Sequence, residues 1–427
     1  MTVAVFLVSL CGAMALGMPI AFSLIVCAVA LMIWLGVYDT QIIAQNMIIG
    51  ADSFQLLAIP FFLLAGELMN AGGLSKRIVN FALSLVGHLH GGLGYVAIFA
   101  AIIMASLSGS AAADTAALAS ILLPMMRSAG YDVGRSAGLI ASGGIIAPII
   151  PPSIGFIVFG VAANLSITKL FLAGVFPGLL IGLSLVIAWW IVCRRDKITV
   201  LPRKTGAERL KATWDGSLAL LMPIAILGGI RFGIVTPTEA AVVATVYALI
   251  VGMFVYRELK PSDLYRVTLL AAKTTSAVML LVAAAVVSAW LITQANIPAE
   301  LSSLLEPFMG NKTVLMIIIM LLVMVVGTAL DFTPTVLILT PVLMPIVKQA
   351  GIDPIYFGVL FIINNAIGLI TPPVGIVLNV VCGVARVPMS AVMRGVWPFF
   401  IAQSIAMFLL VLFPQLVMVP LAWLSGR

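Results

Sequence analysis

The chain has 427 residues, of which 63% are hydrophobic and only 9% charged, with a formal charge of +7; soluble chains carry about 25% charged residues. A chain this poor in polar side chains cannot cover itself in water, which excludes a soluble enzyme or binding module and makes the bilayer its solvent. Apolar runs at residues 3–35, 179–193 and 314–326, divided by short polar stretches, predict consecutive crossings of an all-α polytopic membrane protein.

In chain order, residues 1–35 lack a basic leading segment and outrun a signal-peptide core without a small-residue cleavage site, so they predict a first crossing that is retained. His88 and His90 sit in a polar stretch with no cysteine or carboxylate beside them, so they predict a solvated loop rather than a metal site. The four cysteines, Cys11, Cys27, Cys193 and Cys382, are scattered without CxxC spacing and predict packing roles.

Two segments of the first half enter the membrane but cannot be continuous helices. The first is Ser106-Leu107-Ser108-Gly109-Ser110 with the apolar residues behind it, where Gly109 permits a backbone turn closed to other residues. The second, residues 143–153, carries Pro148 and the pair Pro151-Pro152, which leave carbonyls of the preceding turn without donors. In hydrocarbon a bare carbonyl costs several kcal/mol, so these oxygens need a partner.

Midway, Arg194, Arg195, Lys197, Arg203, Lys204, Arg209 and Lys211 crowd into one linker. By the positive-inside rule that linker faces the cytoplasm, a topogenic use that is preferred to nucleic-acid binding. Beyond it, Glu239 in Thr236-Pro237-Thr238-Glu239 either caps a helix or orients substrate, and Pro261-Ser262-Asp263 among bases predicts the start of an interfacial helix.

The second half then repeats the first. Residues 123–132 return as 344–353, so that Pro124, Gly130 and Asp132 match Pro345, Gly351 and Asp353, a separation of 221 positions. The same offset carries Pro151-Pro152 onto Pro372-Pro373, Gly174-Val175 onto Gly395-Val396 and Pro177 onto Pro398. Repeated membrane units are the sequence mark of transporters whose halves enclose a site near the midplane.

The second half also carries its own breaks, Gly327 to Thr335 with Pro334, and Asn364-Asn365 to Pro372-Pro373. Unwound carbonyls joined by hydroxyls of Ser106, Ser108, Thr335 or Thr371 are the hard ligands that a sodium ion takes, and half-helix N-termini hold anions. Asp331 and Asp114 are carboxylates at membrane depth, which usually pair with an ion, a proton or a base; Asp114 is equally readable as a cap near water.

The chain thus divides into a first half at residues 1–193, with hairpin and broken helix at about 95–177, a basic linker at 194–215, and a second half at 216–427, with hairpin and broken helix at about 314–398. No Gly-x-x-x-x-Gly-Lys-Ser/Thr loop is present to bind ATP, so no ATP drive is expected in this chain. An intramembrane serine protease would need a base beside Ser108 or Ser110, and neither histidine is expected at membrane depth. A passive pore and a non-transporting scaffold are the remaining alternatives.

At these motifs, and at Ala58-Ile59-Pro60-Phe61-Phe62 followed by Ala65-Gly66-Glu67-Leu68-Met69, the sequence resembles the large membrane subunit of tripartite ATP-independent periplasmic (TRAP) transporters, the DctM-like family. The resemblance covers essentially the whole chain and is greatest toward the sialic-acid and keto-sugar-acid branch. It implies two inverted-topology repeats with broken helices and two re-entrant hairpins, the elevator fold of the ion-transporter superfamily, in the bacterial inner membrane. It implies a non-enzymatic, sodium-coupled import of a small carboxylate, with sialic acid expected first and a C4-dicarboxylate or keto sugar acid as alternatives. No cofactor is implied beyond the coupling sodium ions.

The partners it implies are a small four-helix DctQ-like subunit and a DctP-like periplasmic binding protein. Because the first crossing begins almost at Met1, the small subunit is expected on a separate polypeptide. Carried onto this chain, Ser106, Ser108, Gly109, Ile150 and Pro152 resemble a first sodium site, and Gly327, Asp331, Gly368 and Thr371 a second. Ser110, Thr335, Asn365 and Glu239 are the candidate substrate contacts. With no arginine at either hairpin turn, backbone amides, hydroxyls and bound cations would have to neutralise the carboxylate.

Overall fold

The computed structural model describes residues 2–194, 196, 198–372 and 375–426, without the side chains of Leu304 and Ala329. Arg195 and Lys197 of the basic linker and Pro373 of the second proline pair lie outside the described residues. All regular structure among these residues is helical.

The first half begins with α1 (Thr2–Ala15), α2 (Ile20–Leu35), α3 (Thr40–Ala51), α4 (Ala58–Ala71) and α5 (Leu74–Val86). Gly36 ends α2 at φ +69° with its N–H on the carbonyls of the last turn, and Asp39 opens α3 by accepting from the Gln41 N–H. Then follow α6 (Gly92–Ser108), α7 (Ala111–Ser128), α8 (Val133–Gly144), α9 (Ile154–Ala163) and α10 (Ile167–Cys193).

The second half comprises α11 (Gly206–Arg231), α12 (Pro237–Ile250), α13 (Pro261–Gln294), α14 (Ile297–Leu305), α15 (Lys312–Ala329), α16 (Phe332–Gln349), α17 (Pro354–Gly368), α18 (Ile376–Ala385), α19 (Met389–Leu412) and α20 (Gln415–Leu424). Among the described residues, seven helical segments are long and apolar enough to cross a bilayer, including α10, α11, α13, α16 and α19.

Helix bounds follow the sequence repeat. A shift of 221 carries α7 onto α16 end for end, and α8, α9 and α10 onto the starts of α17, α18 and α19 to within one residue. The packing exchanges partners in the same way: α8 lies on α19 while α17 lies on α10, and α7 lies on α18 while α16 lies on α9. Around this interlocked centre, α4 packs on α12 and α13, α2 and α3 on α13, and α5 on α11.

Aromatic side chains fill the seam between α9 and α17. Phe159 lies 5.7 Å from Phe361, which stacks on Phe357 at 5.6 Å. A side chain at Gly358 would strike the Phe159 ring, so the glycine sets how closely the two helices approach. The linker is pinned back to α7 and α8: Asp196 pairs with Arg135 at 2.5 Å, and the Thr199 N–H donates to the Ala129 carbonyl.

Three local expectations change. Pro334 does not break its segment; it lies in the first turn of α16, where a missing N–H costs nothing, and the break falls before it at Leu330-Asp331. Gly327 is helical within α15, so its value is close approach rather than an unusual backbone. Pro261 starts a helix of 34 residues that runs unbroken through α13, where the first half has the two helices α3 and α4.

Candidate functional site

Each hairpin tip is built against a helix break. Between α6 and α7 the chain turns at Gly109, φ +60°, a left-handed conformation that glycine adopts without strain. Ser110 then caps α7, its Oγ accepting from the Ala113 N–H at 3.4 Å. The tip abuts the segment that joins α8 to α9: a Cβ on Gly109 would lie 3.0 Å from the Pro152 carbonyl oxygen and 3.3 Å from the Ile154 nitrogen. Gly109, with Ser108 beside it and Ser106 two residues back on α6, therefore meets the backbone at Pro152, and Ile150 is buried against Gly178 of α10.

The polar groups at this tip are already engaged with one another. Ser108 Oγ donates to Asp114 Oδ1 at 2.5 Å and accepts from the Ser110 N–H, while Ser106 Oγ donates to the Ile103 carbonyl at 2.6 Å. Asp114 is only 2% exposed, and among the described residues its Oδ2 has no hydrogen-bond partner. It is thus an interior carboxylate and not a cap near water, and the sequence undervalued it because a first-turn aspartate reads equally well as a cap.

The carbonyl freed by the prolines of the first break finds a specific donor. Ser153 Oγ donates to the Pro148 carbonyl at 2.5 Å and accepts from the Phe156 N–H at 3.3 Å, so one hydroxyl closes α8's unwound end and caps α9. A hydroxyl directly after Pro151-Pro152 was the available signal. On the outside of the tip, α4 approaches through Gly66, where a Cβ would come within 3.1 Å of Ser108 Cβ. The Ala65-Gly66-Glu67 motif is the flat surface that lets α4 lie on the hairpin.

The second tip is related but not identical. Leu330 and Asp331 are extended, and Asp331 caps α16 by accepting from the Phe332 N–H at 2.6 Å. Thr335 Oγ1 donates to the Asp331 carbonyl at 2.8 Å, and Asn365 Nδ2 to the Phe332 carbonyl at 2.7 Å. Asn365 is buried, with an Oδ1 unpaired among the described residues. A Cβ on Gly368 would lie 2.9 Å from the Gly327 carbonyl oxygen, which brings α15 against the end of α17; Thr371 Oγ1 donates to the Ile367 carbonyl.

Gly327, Asp331, Thr335, Asn365, Gly368 and Thr371 thus belong to one neighbourhood. The two neighbourhoods also touch, since Gly155 at the start of α9 lies directly under the Phe332 ring. Glu239 stands apart from both, exposed on the first turn of α12, where its Oε2 accepts from the Thr236 N–H and Oγ1 at 2.8 Å in a reciprocal capping box. Neither histidine approaches Ser108 or Ser110: His90 Nε2 lies 3.1 Å from the Cys193 carbonyl, in the loop before α6. Among the described residues no three His, Cys, Asp or Glu side chains converge as a metal cluster.

A multi-pass helical membrane protein whose buried polar groups collect at broken helices has the architecture of a permease. Comparison with known proteins agrees. Residues 7–416 match the family of the tripartite ATP-independent periplasmic transporter, DctM component, and the chain belongs to it.

The 2,3-diketo-L-gulonate TRAP transporter large permease protein YiaN of Escherichia coli K12 is 56% identical over the full length of both chains. The sialic acid TRAP transporter large permease protein SiaM of Vibrio cholerae is 39% identical over 95% of each. Among solved structures, the Alcanivorax borkumensis YdaH transporter superposes with a TM-score of 0.66, covering 90% of this chain and 88% of that one at 14% identity, a likeness of fold alone.

Proposed function

We propose that this permease imports a small sugar-acid carboxylate by sodium symport, receiving it from a periplasmic binding protein and working beside a small membrane subunit. The observation that carries the proposal is the meeting of each hairpin tip with a helix break, Gly109 on the Pro152 carbonyl and Gly368 on the Gly327 carbonyl. Each meeting collects backbone oxygens and hydroxyls beside a helix break, the chemistry that sodium sites use. Ser106, Ser108, Gly109, Ile150 and Pro152 would form one site, and Gly327, Asp331, Gly368 and Thr371 the other. Ser110, Thr335 and Asn365 then face the carboxylate from the two tips; Glu239 is left to its cap.

The exchanged packing of α7 with α18 and α16 with α9 supports reading residues 1–193 and 216–427 as inverted-topology repeats joined by a cytoplasmic linker at 194–215, with two re-entrant hairpins. In an elevator cycle, the hairpins and broken helices would slide as one body against α4, α12 and α13. For the substrate, the full-length 56% identity to a 2,3-diketo-L-gulonate permease supports reading a keto sugar acid ahead of sialic acid.

The test is uptake into proteoliposomes holding the permease and its small subunit, with binding protein and labelled 2,3-diketogulonate outside, sialic acid and succinate in parallel. Uptake that needs both the binding protein and an inward sodium gradient, with Asp331→Ala weakening the sodium response, is the expected result. Sodium-dependent uptake of another acid would move only the substrate assignment. Flux without sodium or binding protein would replace symport by a pore.

A further inference from the structure

Apart from the hairpins, one polar cavity stands out, between α5 and α11 where the linker enters. Its volume is about 700 Å³, within the roughly 300–1,000 Å³ of small-molecule sites. Four bases line it, Lys76 and Arg77 from α5 and Lys204 and Lys211 from the linker and α11.

The charges there are not all free. Arg77 donates to Glu258 Oε1 at 2.7 Å and to the Gly73 carbonyl, and its guanidinium lies 3.7 Å over the Tyr256 ring, so it forms a fixed, neutralised wall. Glu208 is held by Thr205, accepting from its N–H at 2.7 Å and its hydroxyl at 2.8 Å. Among the described residues Lys76, Lys204 and Lys211 form no ion pair with a carboxylate, and Asp215 keeps an uncommitted carboxylate among them. With Arg77 balanced by Glu258, three ammonium groups face the carboxylates of Glu208, committed to its cap, and Asp215, which leaves one net positive charge for a phosphate monoanion that also carries hydroxyl groups.

The neighbouring surface says where such a phosphate would come from. On α11, Leu210, Trp214, Leu221 and Ile224 are exposed by 70%, 79%, 50% and 67%, in a stripe at helical spacing that starts beside Lys211. An exposed tryptophan one turn from a basic cavity, with aliphatic side chains running away from it, is the profile of a helix at the headgroup boundary. The inner leaflet presents anionic lipid on the side where positive-inside topology puts this linker.

We propose that the α5–α11 cavity binds the headgroup of an anionic phospholipid of the phosphatidylglycerol type. Lys76, Lys204 and Lys211 hold the phosphodiester, Asp215 accepts from the glycerol hydroxyls, and the acyl chains pass round α11 at Lys211 to reach the Leu210-Trp214-Leu221 stripe on its outer face. The lipid would sit across the contact between α5 and α11 and fasten the linker end of α11 to the membrane surface.

The test is native mass spectrometry of the full chain copurified with its small subunit, with added phosphatidylglycerol, phosphatidylcholine or soluble glycerol phosphate. At about fivefold per base, Lys76→Gln, Lys204→Gln and Lys211→Gln together should cut phosphatidylglycerol retention at least tenfold and leave phosphatidylcholine retention unchanged. The same loss of charge at Lys169, Lys273 and Lys348 should leave phosphatidylglycerol retention intact. Equal loss in both triple variants would overturn a specific site. Binding of glycerol phosphate as tight as that of the lipid would show a soluble anion site instead, and retention unaffected by the cavity substitutions would overturn the proposal.

Discussion

Gly109→Ala separates the strain of the first hairpin turn from its contact with the first helix break. An alanine held at φ near +60° costs about 1–2 kcal/mol, reduced by about 0.4–1 kcal/mol because the unfolded chain also loses freedom. Gly130, at φ +84° with nothing within 4 Å of a built Cβ, isolates that cost; Gly130→Ala should lower stability by about 1 kcal/mol and leave transport alone. At Gly109 the new methyl also meets the Pro152 oxygen at 3.0 Å and the Ile154 nitrogen at 3.3 Å, both main-chain atoms that cannot rotate away.

Overpacking of that kind costs about 1–3 kcal/mol more. If that excess falls on the closed tip that binds the ion, half-saturating sodium should rise by about 5- to 150-fold. Sodium titration of uptake in proteoliposomes, with thermal unfolding of the same preparations, measures both quantities. Gly109→Ala matching Gly130→Ala in both would show that the contact with the break carries no part of the ion site.

Ser108→Ala removes the hydroxyl that donates to Asp114, a carboxylate only 2% exposed, and should cost about 1–3 kcal/mol in thermal unfolding; an unchanged midpoint would mean that another donor replaces the hydroxyl. Glu239→Gln weakens the α12 capping box and should cost at most about 1 kcal/mol with KM for substrate unchanged, whereas a tenfold rise in KM would return Glu239 to the substrate contacts.

Much of this architecture was legible because proline and glycine mark backbone, and backbone repeats. The 221-residue offset predicted which segments correspond, and helix bounds keep it from α6 through α19. What stayed hidden were contacts that depend on distance in space. Nothing near Arg135 in sequence announces Asp196, 61 positions away, and nothing in Gly327 distinguishes a turn from a smooth patch awaiting Gly368. Pro334 misled because its effect depends on the turn of helix it occupies, which the residue itself does not reveal.

The repeat also conceals an exchange of chemistry. In the shared register Ser110 corresponds to Asp331 and Asp114 to Thr335, so each hairpin has one hydroxyl and one carboxylate at the same two positions, in opposite order. In the first hairpin the hydroxyl caps the helix and the carboxylate is buried one turn in; in the second the carboxylate caps, exposed, and the hydroxyl is buried. A unit charge 4 Å from a carboxylate gains about 1 kcal/mol in water but about 4 kcal/mol in partly buried surroundings. Two cation sites built on these tips would therefore differ in affinity although their backbones correspond, according to how near each carboxylate lies to its ion. Were both tips to hold sodium, the one whose ion lies nearer its carboxylate would saturate at the lower concentration, which a two-phase sodium titration of binding would separate and a single phase would refute.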